Sequence, residues 1–227
     1  MKITGAIGGV YSACEWVMRF ALLNVVWLAV NSPVLLVVWS MWRAASVQEI
    51  ILLSIPLLGL FPTLFYPATA GLFAVVRDWI MTAEKESMVK EFFSYAKENY
   101  QKSLLAGSIL GVIWTITIVN YVIVSQSSTI LAVVFLFFAF LLLVVTVLFL
   151  SILVHYQLSS IELLKKTLLY TFGCPFLAIT ILISVIIIFL MGLRFPFLMV
   201  FFSWSLLAFI TFSAFYRTFL RLREKQA

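Results

Sequence analysis

Polar side chains are scarce in this chain, so each one set inside an apolar run is a place where chemistry could occur. Asn24 and Asn31 stand seven residues apart, which puts both carboxamides on one helical face with Trp27 between them; Ser32 and Pro33 follow directly. A carboxamide donates and accepts at once. Such a face suits either of two tasks, hydrogen bonding between helices or one wall of a polar cavity for a solute. Asn120 is the further amide such a cavity would draw on. Ser151 and His155 lie one helical turn apart near the end of another apolar run, where an imidazole acts as a snorkelling or capping group or as a proton relay. Pro33 predicts a kink. Pro56, Pro62 and Pro67 follow each other at spacings of six and five, and each removes a backbone donor. The freed carbonyls of such a broken helix either line a site or are satisfied by neighbouring helices.

Much other chemistry has no residues to carry it. Glu15, Glu49, Asp78 and Glu162 all fall at the edges of apolar runs rather than near their centres, which disfavours coupling to protons or sodium ions. There is no P-loop, no HExxH helix, no GxSxG elbow and no pair of intramembrane aspartates. Cys14 and Cys174 are too few for a disulfide framework and lack metal-ligand spacing, and His155 is the single histidine. The expectation is a protein that is not an enzyme and that has no metal, cofactor or catalytic residue.

The elements that must position these residues follow from composition. Hydrophobic residues make up 64% of the chain and charged residues 11%, too apolar a balance for a soluble domain of 227 residues to bury. Segments of about 20 apolar residues cross a bilayer. Six are visible, at about 17–41, 50–76, 104–124, 129–154, 168–191 and 195–215, and with no linker or repeat between them they read as one integral membrane domain over 1–227. The first is too long for a cleavable signal peptide and has no small-residue cleavage site after it. With the N-terminus inside, thirteen of the fifteen Lys and Arg residues fall on the inner side and only Arg43 and Arg194 on the outer. The positive-inside rule then places both termini in the cytoplasm of a bacterial plasma membrane. The net charge of +6 has this origin, and no nucleic-acid partner is implied. Trp16, Trp39, Trp42 and Trp79 fall near span ends, where amphipathic rings prefer to sit.

Between spans two and three, residues 77–103 read as one amphipathic cytoplasmic helix. Lys90, Glu91, Ser94, Lys97, Glu98 and Gln101 form a polar face, and Met88, Val89, Phe92, Phe93, Ala96 and Tyr100 an apolar one. Glu86–Lys90 and Glu98–Lys102 have the favourable i,i+4 order. Arg77, Asp78, Trp79, Phe92, Phe93 and Tyr100 are the candidate docking residues, toward lipid headgroups or a partner protein. Ser159 and Glu162 form a capping box for a further short helix, and Lys2 to Cys14 reads as an interfacial helix leading into the first span. The small run Pro67 to Gly71 predicts close helix approach.

Three stretches also carry a resemblance: Leu23-Asn24-Val25-Val26-Trp27-Leu28, the run Pro67 to Phe73 leading into Val76-Arg77-Asp78-Trp79, and Glu91 to Ser103. They resemble the YesL-like family of bacterial integral membrane proteins, which is defined by a domain of unknown function, and the likeness extends over nearly the whole chain in the length and order of spans. The resemblance implies a setting beside carbohydrate ABC importers, sensor kinases and polysaccharide-degrading enzymes, and no molecular activity. The importer permease's own EAA loop is not visible. The expected role is thus accessory or regulatory to oligosaccharide uptake, through helix contacts with ABC transporter subunits or by self-association within the bilayer. The alternative is a small-solute binding or transport unit, its cavity near Asn24, Asn31 and the proline-broken second span.

Overall fold

In lipid a backbone must satisfy its own hydrogen bonds, and a chain with apolar runs of this length does so as helices. The computed structural model describes residues 6–83 and 87–225, and these are helical with no strand among them. Among the described residues, six helices are long and apolar enough to cross a membrane. In chain order they are α1 (Ala6–Trp42); a composite crossing of α2 (Val47–Leu60), a π-helical turn (Phe61–Phe65) and α3 (Tyr66–Ile80); α5 (Tyr100–Ser125); α6 (Thr129–His155); α8 (Pro175–Arg194); and α9 (Pro196–Glu224). Two shorter helices, α4 (Met88–Glu98) and α7 (Ser160–Gly173), join them.

Local sequence sets most of these ends. Ser46 accepts from the Glu49 amide while the Glu49 carboxylate accepts from the Ala45 amide, so the start of α2 is capped reciprocally. Ser128 caps α6, and the Ser159–Glu162 box is formed at the start of α7. Pro175 and Pro196 occupy the first helical position, where a missing N–H is harmless, and each forces the residue before it out of helical geometry.

Several boundaries differ from the sequence expectation. The segment 77–103 is not one helix. α3 stops at Ile80, the chain turns through Thr82 with a φ of 54°, and α4 gives way to α5 at Asn99. Glu98 and Lys102 therefore straddle a break and form no ion pair among the described residues. Likewise Leu168 to Gly173 belongs to α7 rather than to the fifth crossing, because Pro175 divides the two. Residues Lys2, Ile3 and Gly5 of the expected interfacial helix, and Lys85 and Glu86, lie outside the described residues. From Ala6 onward the N-terminal stretch is continuous with the first crossing.

α3 is the central post of the bundle, in contact with α1, α4, α5, α6 and α9. Every residue from Tyr66 to Val76 is buried. Small residues make this possible. A Cβ on Gly71 would lie 2.7 Å from the Phe92 carbonyl oxygen on α4, and one on Gly107 of α5 would lie 2.6 Å from the Tyr66 ring. The predicted close approach at Pro67–Gly71 is thus made to α4. The bundle's two ends differ. The terminal end holds the start of α1, the end of α3, all of α4 and α7, and the end of α9. The hairpin end holds the short turns after α1, α5 and α8. α1, at 37 residues, is about 55 Å long, well beyond the roughly 30 Å hydrocarbon layer.

Candidate functional site

Asn24 is fully buried where α1 meets α9, and its carboxamide is inserted into the backbone of α9. Nδ2 donates to the Val200 carbonyl at 2.7 Å and more weakly to that of Met199 at 3.3 Å. Oδ1 accepts from the amides of Trp204 at 2.9 Å and Ser205 at 3.2 Å. Val200 and Trp204 are four residues apart, partners in a regular α-helical ladder, so one side chain addresses both sides of a single rung. Every donor and acceptor of this amide is used.

One turn on, Trp27 donates from Nε1 to Thr69 Oγ1 at 3.0 Å, and the Thr69 hydroxyl donates to the Phe65 carbonyl at 2.6 Å. The Trp27 ring lies 4.7 Å from that of Trp204 and 5.8 Å from that of Phe65, which closes the space between α1, α3 and α9 with rings. Asn31 is also fully buried; Nδ2 donates to the Trp27 carbonyl at 3.0 Å, and Oδ1 finds no donor among the described residues. Asn120 does not join them. It donates to the Ile116 carbonyl of its own helix, and α5 does not touch α1.

The prolines are accommodated individually. Pro33 supplies no N–H to the Ala29 carbonyl four residues back, and the Ser32 hydroxyl donates to that carbonyl at 2.9 Å instead, so α1 continues unbroken. Pro56 lies inside α2. Pro62 lies inside the π-helical turn and Pro67 just beyond it, and the Tyr66 amide reaches five residues back to the Phe61 carbonyl.

At the terminal end a polar seam ties three elements together. Arg77 donates through Nε to Asp78 Oδ1 at 2.9 Å, and its Nη1 reaches the Val154 carbonyl at the end of α6 at 2.5 Å. The hydroxyl of Tyr95 on α4 donates to Asp78 Oδ2 at 2.5 Å, and the guanidinium carbon lies 5.2 Å from the centre of the Tyr95 ring. Asp78 is buried, so this charge is held by a pair and a phenol rather than by water. Tyr95 was not among the expected site residues, although its place three residues after Phe92 puts it on the same helical face.

The expected docking residues are divided by this packing. Asp78, Trp79 and Phe92 are buried in the chain's own bundle, and Arg77 is largely enclosed. Trp79 sits in an aromatic cluster with Trp16 and Phe20 instead of in a lipid-facing belt, whereas Trp39 and Trp42 at the hairpin end are well exposed. Phe93 and Tyr100 remain exposed at 52% and 40%. The amphipathic helix therefore lays its apolar face on α3.

His155 ends α6 among the rings of Tyr156, Phe212, Phe215, Tyr216 and Phe219, the nearest 4.6 Å away. Ser151, one turn earlier, is buried with its hydroxyl oxygen unpartnered among the described residues. Beside this cluster Lys166 Nζ stands 3.5 Å from the centre of the Tyr156 ring, and the Tyr156 and Tyr170 hydroxyls are 3.3 Å apart. Burial, then the neighbouring Tyr156, pushes the Tyr170 phenol well above its usual range. The Glu162 carboxyl is held below its ordinary value, mainly by hydrogen bonds from the backbone and hydroxyl of Ser159.

Fold and internal cross-links together define a polytopic α-helical protein with six helices able to cross a bilayer. A family model described as "Protein of unknown function, DUF624" matches residues 20–121. "Uncharacterized protein YteU" from Bacillus subtilis (strain 168) is 27% identical over 227 residues, covering 99% of this chain and 91% of the relative. No solved structure matches. Both matches agree with the resemblance noted above, the family model over 102 of the 227 residues and the relative over nearly the whole chain.

Proposed function

We propose that this protein is a non-catalytic accessory subunit of the bacterial plasma membrane, acting on oligosaccharide uptake through helix contacts with ABC transporter components. The observation that carries this reading is the spending of the intramembrane amide of Asn24 on the chain's own α9 backbone. A solute-binding wall keeps its polar groups free; here the strongest one is consumed as a fastener. The surface left for a partner helix is α2, in which no residue from Gln48 to Leu60 is buried. The charge distribution supports cytoplasmic termini, which would put the terminal end beside the importer's ATPase.

The test is cross-linking from α2. A photoreactive side chain at Leu52, in cells expressing the importer from its native locus, is expected to capture a permease subunit. The same group at Phe137, on the exposed part of α6, serves as the control. Equal capture from both positions, or none from Leu52, would overturn the reading.

One observation favours the solute alternative: the fully buried Oδ1 of Asn31, which has no partner among the described residues. On that reading Asn31→Leu abolishes oligosaccharide binding measured by calorimetry on the purified protein. On the accessory reading wild type and variant both give no binding heat.

A further inference from the structure

Where α1, the π-helical turn, α3, α4 and the start of α5 meet, they leave a groove of about 220 Å³. Its apolar lining includes Val30, Leu64, Pro67, Phe93 and Ala96, and Thr63 and Lys97 bring the polar groups. Phe93, Thr63 and Lys97 are exposed, so the groove opens outward rather than into the bundle. We infer that it seats one acyl chain of an anionic glycerophospholipid whose phosphate is held by Lys97.

Two observations lead to that occupant. The first is depth. Lys97 lies two residues before the break at Asn99, where the chain leaves the amphipathic α4 and enters the crossing helix α5. The helix long and apolar enough to cross begins at Tyr100, so by length and composition the junction lies at the end of a span. A groove lined with apolar side chains and open at this level meets acyl chains before it meets any soluble ligand. The second is charge. Lys97 lines the groove, is exposed, and forms no ion pair among the described residues. An unneutralised ammonium at the end of an apolar slot complements a chain carrying an anion.

Native mass spectrometry of the full chain, released from detergent with added phosphatidylglycerol or phosphatidylcholine of identical acyl chains, tests this. The wild type is expected to retain phosphatidylglycerol in preference to phosphatidylcholine. Lys97→Gln lowers phosphatidylglycerol retention about fivefold, the effect of one basic side chain at an anionic surface. Lys90→Gln, on the same helix but outside the groove, leaves retention unchanged. Thr63→Trp, a filling change at an exposed position, lowers retention of both lipids. Should Thr63→Trp fail to fold, as judged by its melting curve, the Lys97 and Lys90 pair decides alone. Equal retention of the two lipids by the wild type, or equal effects of Lys97→Gln and Lys90→Gln, overturns the inference. Full retention by a folded Thr63→Trp does the same.

Discussion

α6 contains both regimes of this molecule within one helix. From Thr129 to Leu143 none of its residues is buried, while from Val144 to Val154 all but Thr146 are. The composition hardly changes between the two parts. The first faces lipid at the hairpin end; the second is enclosed by α3, α7, α8 and α9 at the terminal end. The same contrast runs through the bundle, with Tyr66 to Val76 of α3 all buried and no residue from Gln48 to Leu60 of α2 buried on the other side of the π-helical turn. Lipid is as good a solvent for Leu or Phe as a protein interior, so apolar burial alone gives no reason for one half to pack more tightly. What marks the terminal half is small residues and polar fasteners: Gly71 and Gly107 against neighbouring backbone and rings, and Asp78 between Arg77 and Tyr95.

The comparison can be broken most directly at the polar seam. Asp78→Ala leaves a largely enclosed guanidinium and a buried phenol without their acceptor, and is expected to destabilise the protein by about 3 kcal/mol. Arg194→Ala at the hairpin end should change the melting temperature in detergent very little. Similar losses for the two would end the distinction between the halves. Glycines sharpen it further, because the expected signs are opposite. Gly71→Ala drives a methyl group into the Phe92 carbonyl and is expected to cost about 2 kcal/mol by overpacking. Gly59→Ala meets nothing within 4 Å and should stabilise its helix by up to about 1 kcal/mol. Denaturant titrations followed by circular dichroism compare the two.

Asn24→Leu removes four hydrogen bonds to α9 and is expected to lower stability by about 2 kcal/mol, at somewhat over half a kcal/mol per bond in lipid. Asn120→Leu, which loses only a bond to its own helix, should fall within about 0.5 kcal/mol of wild type. The smallest effect is a pH dependence at the α7 cap. The folded pKa of Glu162 is depressed, so its contribution is fully present above the ordinary carboxylate value of 4.5 and is lost as pH falls through the folded value. Melting temperatures of wild type and Glu162→Gln should therefore differ at pH 7 and converge in acid. A constant difference across that range would remove the capping carboxylate from the balance.

The crossings were legible because a run of 20 apolar residues has one common use, and six helices of that length and apolarity stand among the described residues. The fifth was read too early because Leu168 to Phe172 is as apolar as the crossing it precedes; only Pro175 separates them. The long amphipathic helix was misjudged for a related reason. Periodicity shows which face of α4 seeks cover but not what covers it, and α3, rather than a headgroup layer, lies against Phe92 and Tyr95. Asn24 and Asn31 share a face, as their spacing requires, and yet differ in fate. Asn24 is met by Val200 and Trp204, some 176 and 180 residues away in the chain, partners that no local pattern announces. Asn120 could be grouped with them only while the helices had no positions, since α5 and α1 do not touch.

The three prolines of the composite crossing also have a mechanical consequence. α3 is clamped on all sides, whereas α2 is held by α1, the π-helical turn and a small contact with α5. A change in bilayer thickness acts on a crossing by altering its tilt. In this crossing α2 is the less restrained part, so a change in thickness is expected to alter the angle of α2 before that of α3. The terminal half is isolated from it, much as a bearing isolates a fixed housing from a moving shaft.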